Sequence, residues 1–569
     1  MLKKLIPVAI AIVLIFVIAF TWLLPEMKDH YEYSTVQADL NEYYEIYSLT
    51  DVPIMLQDEL IEERGQMIDG VVYLDMSTIQ KYFVDRFYYN EAEKVLKYTT
   101  MEAVTNVYLD ERNTSYETSG VVTDVGYPIA LVQNDTLYIA LDYIKLYDNF
   151  SYELFTNPNR MQIYTQWGTV TKATVNADTQ VRTLGGIKCD ILEEVKKGDE
   201  LYVLEQMETW TKVKTNHAII GYVETKRLDN IRQEEQTPVT DVKEVEYTSI
   251  VNDDTVSLAF HYVGHLSAND ELKSLVADAE GLNTVSPTWF FLNDNEGNFL
   301  DLGSASYVKT AHDLGLDVWA LIEDITYSVD LYELLASTEN RTRLIQNLIN
   351  AAENYGLDGI NIDFESVNGT EGPHFVQFLR ELSIETHARG IVLSVDNYMP
   401  NAGNTHYNYK EQGLVADYVV LMGYDEHWAG CGTAGSVASI QFVKEGIQNT
   451  INKGVPQEKV INALPFYTRV WETVGDKVTD TTDGMLNIEN WAKKKGLEFT
   501  WDEETCQYYG ELKQGDTLYQ VWMEEEESIS AKLNVMLTFD LGGVAGWRLG
   551  YEKSSVWPLL KGYVQANNL

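Results

Sequence analysis

Between Asp358 and Glu365 the chain reads Asp-Gly-Ile-Asn-Ile-Asp-Phe-Glu, with polar and apolar side chains alternating. Successive strand side chains point to opposite faces, so Ile360, Ile362 and Phe364 share one face and Asn361, Asp363 and Glu365 the other. At ~3.3 Å rise per residue, the Cα atoms of the two acids lie about 6.6 Å apart. Burying such a pair without partners costs several kcal/mol and raises at least one pKa. A carboxyl that keeps its proton near neutrality is what a general acid requires. A solvated edge strand would alternate in the same way, but it would leave Ile360, Ile362 and Phe364 without an apolar neighbour.

Both faces of such a strand are buried when it stands in a closed parallel sheet jacketed by helices. The surrounding sequence supplies one. Apolar strand-like runs near 255–261, 284–291, 317–322, 358–365, 390–396, 416–424, 459–466 and 543–549 alternate with amphipathic helical stretches. Eight βα units over roughly 320 residues predict an α/β fold, a (β/α)8 TIM barrel over 248–569 with an α+β insertion at about 470–530. In it Ile360, Ile362 and Phe364 should face the helices, and Asn361, Asp363 and Glu365 the interior.

The pattern Asp358-Gly359-x-Asn361-x-Asp363-x-Glu365 resembles the signature of glycoside hydrolase family 18. Met422-Gly423-Tyr424-Asp425, Leu464-Pro465-Phe466-Tyr467-Thr468-Arg469 and Gly546-Trp547 fall where that family has further motifs. The resemblance covers about residues 250–565 and is nearest the bacterial cell-wall and spore-cortex lytic branch. It implies a retaining hydrolysis in which the substrate's own 2-acetamido oxygen attacks the anomeric carbon. It assigns Glu365 as acid and later base, Asp363 as holder of the acetamide N–H, and Tyr424 as donor to the acetamide carbonyl. Asp425 would seat the sugar, Trp547 would form its floor, and Asn361, Trp289, Tyr467 and Trp428 are further candidates for the substrate site. Family members usually carry Asp where this chain has Asn361, and an amide can bond Asp363 but cannot take its proton. The Ser-x-Gly-Gly motif of strand three is also missing. Neither cofactor nor metal is implied; Asn293-Asp294-Asn295-Glu296-Gly297 fits a plain turn better than a calcium loop.

Upstream, Leu5 to Leu24 is uncharged and almost wholly apolar, behind Lys3 and Lys4 and ahead of Glu26 and Asp29. That composition predicts a single-pass membrane anchor over residues 1–28 with the remainder extracytoplasmic. Residues 29–168 read as an α+β stalk with an internal repeat, Pro53-Ile54-Met55-Leu56 being answered by Pro128-Ile129-Ala130-Leu131. It resembles the stalk module named after the amino-terminal domain of copper amine oxidases, without a His cluster to hold copper. Residues 169–230 predict five short strands, and Gly198-Asp199-Glu200-Leu201, Trp210-Thr211-Lys212-Val213 and Gly221-Tyr222-Val223 resemble bacterial SH3-type domains. Residues 231–247 read as a linker.

The chain has 569 residues and a formal net charge of −45, so a polyanionic partner would be repelled over much of the surface and nucleic acid is not expected as a partner. Cys189, Cys431 and Cys506 are too few and scattered for a disulfide framework. The expected activity is hydrolysis of β-1,4 bonds next to N-acetylglucosamine in peptidoglycan. The alternatives are a chitinase and a glycan-binding protein without catalysis.

Overall fold

The structure, a computed structural model, describes residues 2–110, 112–243, 245–251 and 254–568. The chain divides into two compact units: Met1–Tyr89 with Lys94–Leu96 and Asn106–Glu244, and Asn90–Glu93 with Lys97–Thr105 and Val245–Leu569.

In the second unit eight parallel strands close on themselves: β1 (Val256–His261), β2 (Thr284–Leu292), β3 (Asp317–Glu323), β4 (Gly359–Asp363), β5 (Val392–Asn397), β6 (Tyr418–Met422), β7 (Val460–Pro465) and β8 (Gly543–Trp547). Closure is by β1 with β8, Val256 opposite Gly543, and β1 with β2, Leu258 opposite Thr284. All eight lie where the sequence pattern puts them. Ile360, Ile362 and Phe364 pack into the large apolar layer between strands and helices. A second, smaller cluster of Leu258, Trp319, Leu321, Tyr418, Val420, Ile461 and Ala545 fills the barrel interior. Glycine is required at 359, since a Cβ there would lie 2.6 Å from the Trp319 ring, which plugs the interior beside β4.

The helices end on ordinary chemistry. The helix Thr338–Tyr355 before β4 begins with the Ser337 side chain accepting from Asn340 N and stops at Gly356, φ 73°. The expected insertion is a five-stranded antiparallel sheet, running from Tyr467–Val474 to Thr517–Met523, with the helix Met485–Lys495. In the acidic run after it, Glu525 caps the helix Glu526–Met536, while Glu524 turns inward, fully buried against Lys532 Nζ at 2.9 Å.

The first unit departs further from expectation. Its helices between residues 40 and 144 are four to seven residues long, so the region is built of strands and not of α+β units. A seven-stranded sheet combines Asp51–Leu56, Glu59–Ile68 and Val71–Asp75 with the four strands between Ala130 and Tyr164. Seven strands, not five, form the sheet between Thr169 and Glu235. Its last strand, Leu228–Glu235, pairs with Thr169–Val175 and so takes in the start of the expected linker; Glu244 lies outside the described residues.

The membrane anchor is not sustained. The apolar run forms a helix of 17 residues, Leu2–Ile18, then passes into the π-helical Ala19–Leu23. At 1.5 Å per residue that α-helix alone reaches about 25 Å, short of a hydrocarbon core of about 30 Å, and beyond the π-helical segment the helix Leu24–Tyr31 is charged, with Glu26, Lys28 and Asp29. Among the described residues no helix is long and apolar enough to cross a membrane.

Candidate active site

A cleft of about 990 Å³ opens at the carboxyl ends of the barrel strands, and Glu323, Asp363, Glu365, Asp396, Tyr424, Asp425 and Trp547 are among its walls. It stands where this fold generally presents its chemistry, because strand ends and βα loops converge there. Tyr467 and Trp428 also line it, Trp428 being 53% exposed at its mouth.

β4 carries Asn361 and Asp363 inward and ends there, and Glu365 follows on the rim. Asn361 is fully buried beneath the cleft and touches none of its space; it donates to Asp396 Oδ2 at 2.9 Å and accepts from Ser394 Oγ at 2.7 Å. The expectation that Asn361 meets substrate is therefore corrected: it is a strut for Asp396. The register Asn361 with Ser394 and Ile362 with Val395 brings Asp363 beside Asp396 at the next step along β4 and β5. One oxygen of each, Oδ1 in both, is buried without a hydrogen-bond partner among the described residues. Two adjoining buried carboxyls of this kind cannot both ionise cheaply. Burial first, then the charges of Asp396, Glu365 and Asp324, push Asp363 well above the usual carboxylate range. Burial does the same to Asp396.

Glu365 is raised by burial and by Asp324, Asp425 and Glu323, against the lowering effect of the Tyr398 hydroxyl that donates to its Oε2. Its backbone is clamped: Glu365 N and Ser366 N donate to Asp324 at 2.8 and 3.0 Å, and Tyr407 donates to Phe364 O at 3.0 Å. Burial lifts the Asp324 carboxyl to about 6, the two backbone N–H groups restraining it. A carboxyl with its proton retained and its backbone fixed is suited to protonating a leaving oxygen.

Tyr424 packs against the barrel interior with its ring 6.0 Å from that of Tyr467, and burial drives its hydroxyl well above its ordinary value, so it stays a donor. Asp425 adopts a left-handed backbone, φ 58°, and is held by Tyr467 Oη at 2.5 Å and Arg469 at 2.7 Å. Arg469 is itself tied to Asp480 of the insertion at 2.8 Å, so the inserted sheet steadies one wall of the cleft. Trp547 is half-buried, 5.3 Å from Phe260. Trp289 is elsewhere. It is fully buried in the outer apolar layer, its Nε1 donating to Asn269 Oδ1 at 2.8 Å, and the expectation that it touches sugar is withdrawn.

Sequence reasoning missed Asp396, Tyr398, Asp324 and Arg548. The parity rule used on β4 marks Ser394, Asp396 and Tyr398 as one polar face of Leu393-Ser394-Val395-Asp396-Asn397-Tyr398, so for two of them the signal was present.

Residues 200–552 match the family model described as glycosyl hydrolases family 18. The chain belongs to that family. The match begins within the strand Glu200–Gln206 of the first unit, ahead of the barrel, whose first strand opens at Val256. Over 298 residues the chain is 26% identical to "Uncharacterized glycosylase YvbX" of Bacillus subtilis (strain 168), covering 49% of this chain and 84% of that protein. It is 26% identical over 250 residues to the "Cortical fragment-lytic enzyme" of Bacillus anthracis, covering 42% of this chain and 57% of that one. A solved C-terminal domain from Desulfitobacterium hafniense DCB-2 superposes with a TM-score of 0.50 at 20% identity, over 55% of this chain and 99% of its own, a likeness of fold. Family 18 membership makes the barrel a glycoside hydrolase domain.

Proposed function

We propose that the barrel cleaves β-1,4 bonds next to N-acetylglucosamine in peptidoglycan, with retention, through an oxazolinium ion formed by the substrate's own acetamide. This family stands outside the scheme in which a second carboxylate is the nucleophile. Glu365 protonates the leaving oxygen and then activates water. Asp363 holds the acetamide N–H and offsets the charge that grows on it, and Tyr424 donates to the acetamide oxygen. Trp547 carries the pyranose face, Asp425 fixes its orientation, and Tyr467 and Trp428 extend the binding surface. Asp396 shares the proton that Asn361 cannot accept, which keeps Asp363 from standing as a second full negative charge beside Glu365.

The observation that supports this reading is the grouping of Asp363, Asp396 and Glu365 on one cleft with raised pKa values and no basic side chain paired to any of the three among the described residues. The relative named for lysis of cortical fragments inclines the substrate toward wall glycan over chitin. Residues 169–230 are read as an SH3-type module for cell-wall peptide, and the sheets before them as a spacer.

Mass analysis of fragments released from purified peptidoglycan tests it. New reducing N-acetylglucosamine ends are expected. Peptidoglycan left without new reducing ends, or cleavage of chitin oligosaccharides with intact peptidoglycan, would overturn it.

A further inference from the structure

Five acids, Glu323, Asp363, Glu365, Asp396 and Asp425, line the cleft, and the basic side chains on the same walls are Arg469 and Arg548. Arg469 is committed to Asp425 and Asp480. Arg548 is not. Among the described residues no carboxylate lies within 4.0 Å of its nitrogens and no hydrogen bond forms on its side chain; its Cζ sits 5.0 Å from the Tyr262 ring centroid and 4.0 Å from that of Tyr551. It is half-buried and directly follows Trp547 in the chain.

A guanidinium without a counter-charge is out of place in a protein of net charge −45, where carboxylates are abundant enough to satisfy every cation. Stacking on aromatic rings fixes its orientation at little entropic cost and leaves its N–H fork able to take a planar carboxylate in two parallel bonds. Such a charge on a glycan-sized cleft discriminates between neutral and acidic sugars, since an anionic substrate meets repulsion from the rest of the surface.

We infer that Arg548 binds a carboxylate borne by the glycan, on the sugar next to the one stacked on Trp547. The lactyl ether of N-acetylmuramic acid has that chemistry where it carries no stem peptide, and unmodified chitin has none. The inference rests on the proposed hydrolase reading and narrows its substrate to acidic glycan.

The test uses the full chain with peptidoglycan glycan strands freed of stem peptide, native and with the lactyl carboxyls amidated, and reads kcat and KM for wild type, Arg548→Lys and Arg548→Gln. Wild type should prefer native strands by about 10- to 100-fold in kcat/KM, the worth of a charge-assisted hydrogen bond, chiefly through KM. In Arg548→Gln the preference should fall toward one, and Arg548→Lys should restore part of it. Equal losses on both strands would mean that Arg548 only braces Tyr262 and Tyr551, and the inference would be wrong. Binding of the two strands to Glu365→Gln, with and without Arg548→Gln, gives the same comparison without cleavage. Discrimination in binding with no cleavage by wild type keeps Arg548 and discards the hydrolase; cleavage without discrimination does the reverse.

Discussion

The same barrel buries carboxylates in two ways. On its outer layer Glu381 receives Arg341 Nε and Nη2 at 2.7 and 2.9 Å and the Gln377 amide at 2.9 Å, and Glu411 receives Arg380 Nε at 2.7 Å. Burial alone would lift Glu381, yet Arg341 brings it below the usual carboxylate range. At the mouth of the barrel, Asp363, Asp396 and Glu365 have no such cation among the described residues and are all raised. The fold therefore has the means to neutralise buried acids and does so where they only hold helices together. Where it does not, the retained instability is what the proposed chemistry, with its need for a proton-bearing carboxyl, calls for.

The first way to break this contrast is Glu365→Gln, which keeps shape and burial but cannot donate. A loss of about 10²- to 10⁴-fold in kcat is expected, the usual worth of a general acid, with the circular dichroism spectrum unchanged. Retained cleavage would move the acid elsewhere.

The next largest effect is on stability. Arg341→Met removes both charge-assisted bonds from buried Glu381 and leaves it Lys97 Nζ at 3.9 Å and the Gln377 amide at 2.9 Å, so denaturant titration should record a loss toward the lower end of the ~3–5 kcal/mol that breaking a buried pair costs. Activity per folded molecule should be retained.

Asp396→Asn works in the opposite direction. A carboxyl raised in the folded state takes up a proton on folding, so its contribution to stability falls as pH rises from the ordinary carboxylate range through the raised value. The variant should match wild type in acid and melt higher at neutral pH, by roughly 2–4 °C for each kcal/mol recovered. Cleavage should decline. A variant that melts lower at neutral pH would mean that Asp396 is stabilising there and not in conflict with Asp363.

The smallest effect sharpens the edge of the cleft. Trp428→Ala, at a position half exposed, should raise KM by about fivefold, near 1 kcal/mol, with kcat little changed.

Much of the barrel could be read from sequence because a strand buried on both faces leaves a long apolar signature, and the parity of Ile360, Ile362 and Phe364 fixed which way Asp363 faced. The same rule, applied to β2, sends Trp289 outward with Val285 and leaves Ser286 and Thr288 inward, which is what the packing bears out. Residue type alone places Trp289 at the sugar, whereas its position along β2 places it in the outer layer. Asn361 was read through its chemistry with Asp363, whereas its partners on β5 depend on register between strands, which one strand's sequence does not carry. The count of strands between Thr169 and Glu235 suffered similarly, the edges pairing through bulges that alternation does not report. Apolar composition over Leu5 to Leu24 likewise says nothing of where an α-helix gives way to a π turn.

The central claim is that Glu365 holds its proton because burial and the neighbouring acids Asp324, Asp425 and Glu323 raise it. The direct measurement is the pH dependence of kcat/KM for glycan cleavage. The account predicts full activity well above the ordinary glutamate range near pH 4.3 and a decline only at higher pH, as the raised carboxyl of Glu365 ionises. A basic limb centred near pH 4.3, or cleavage that stays level as far as strongly alkaline pH, would contradict it.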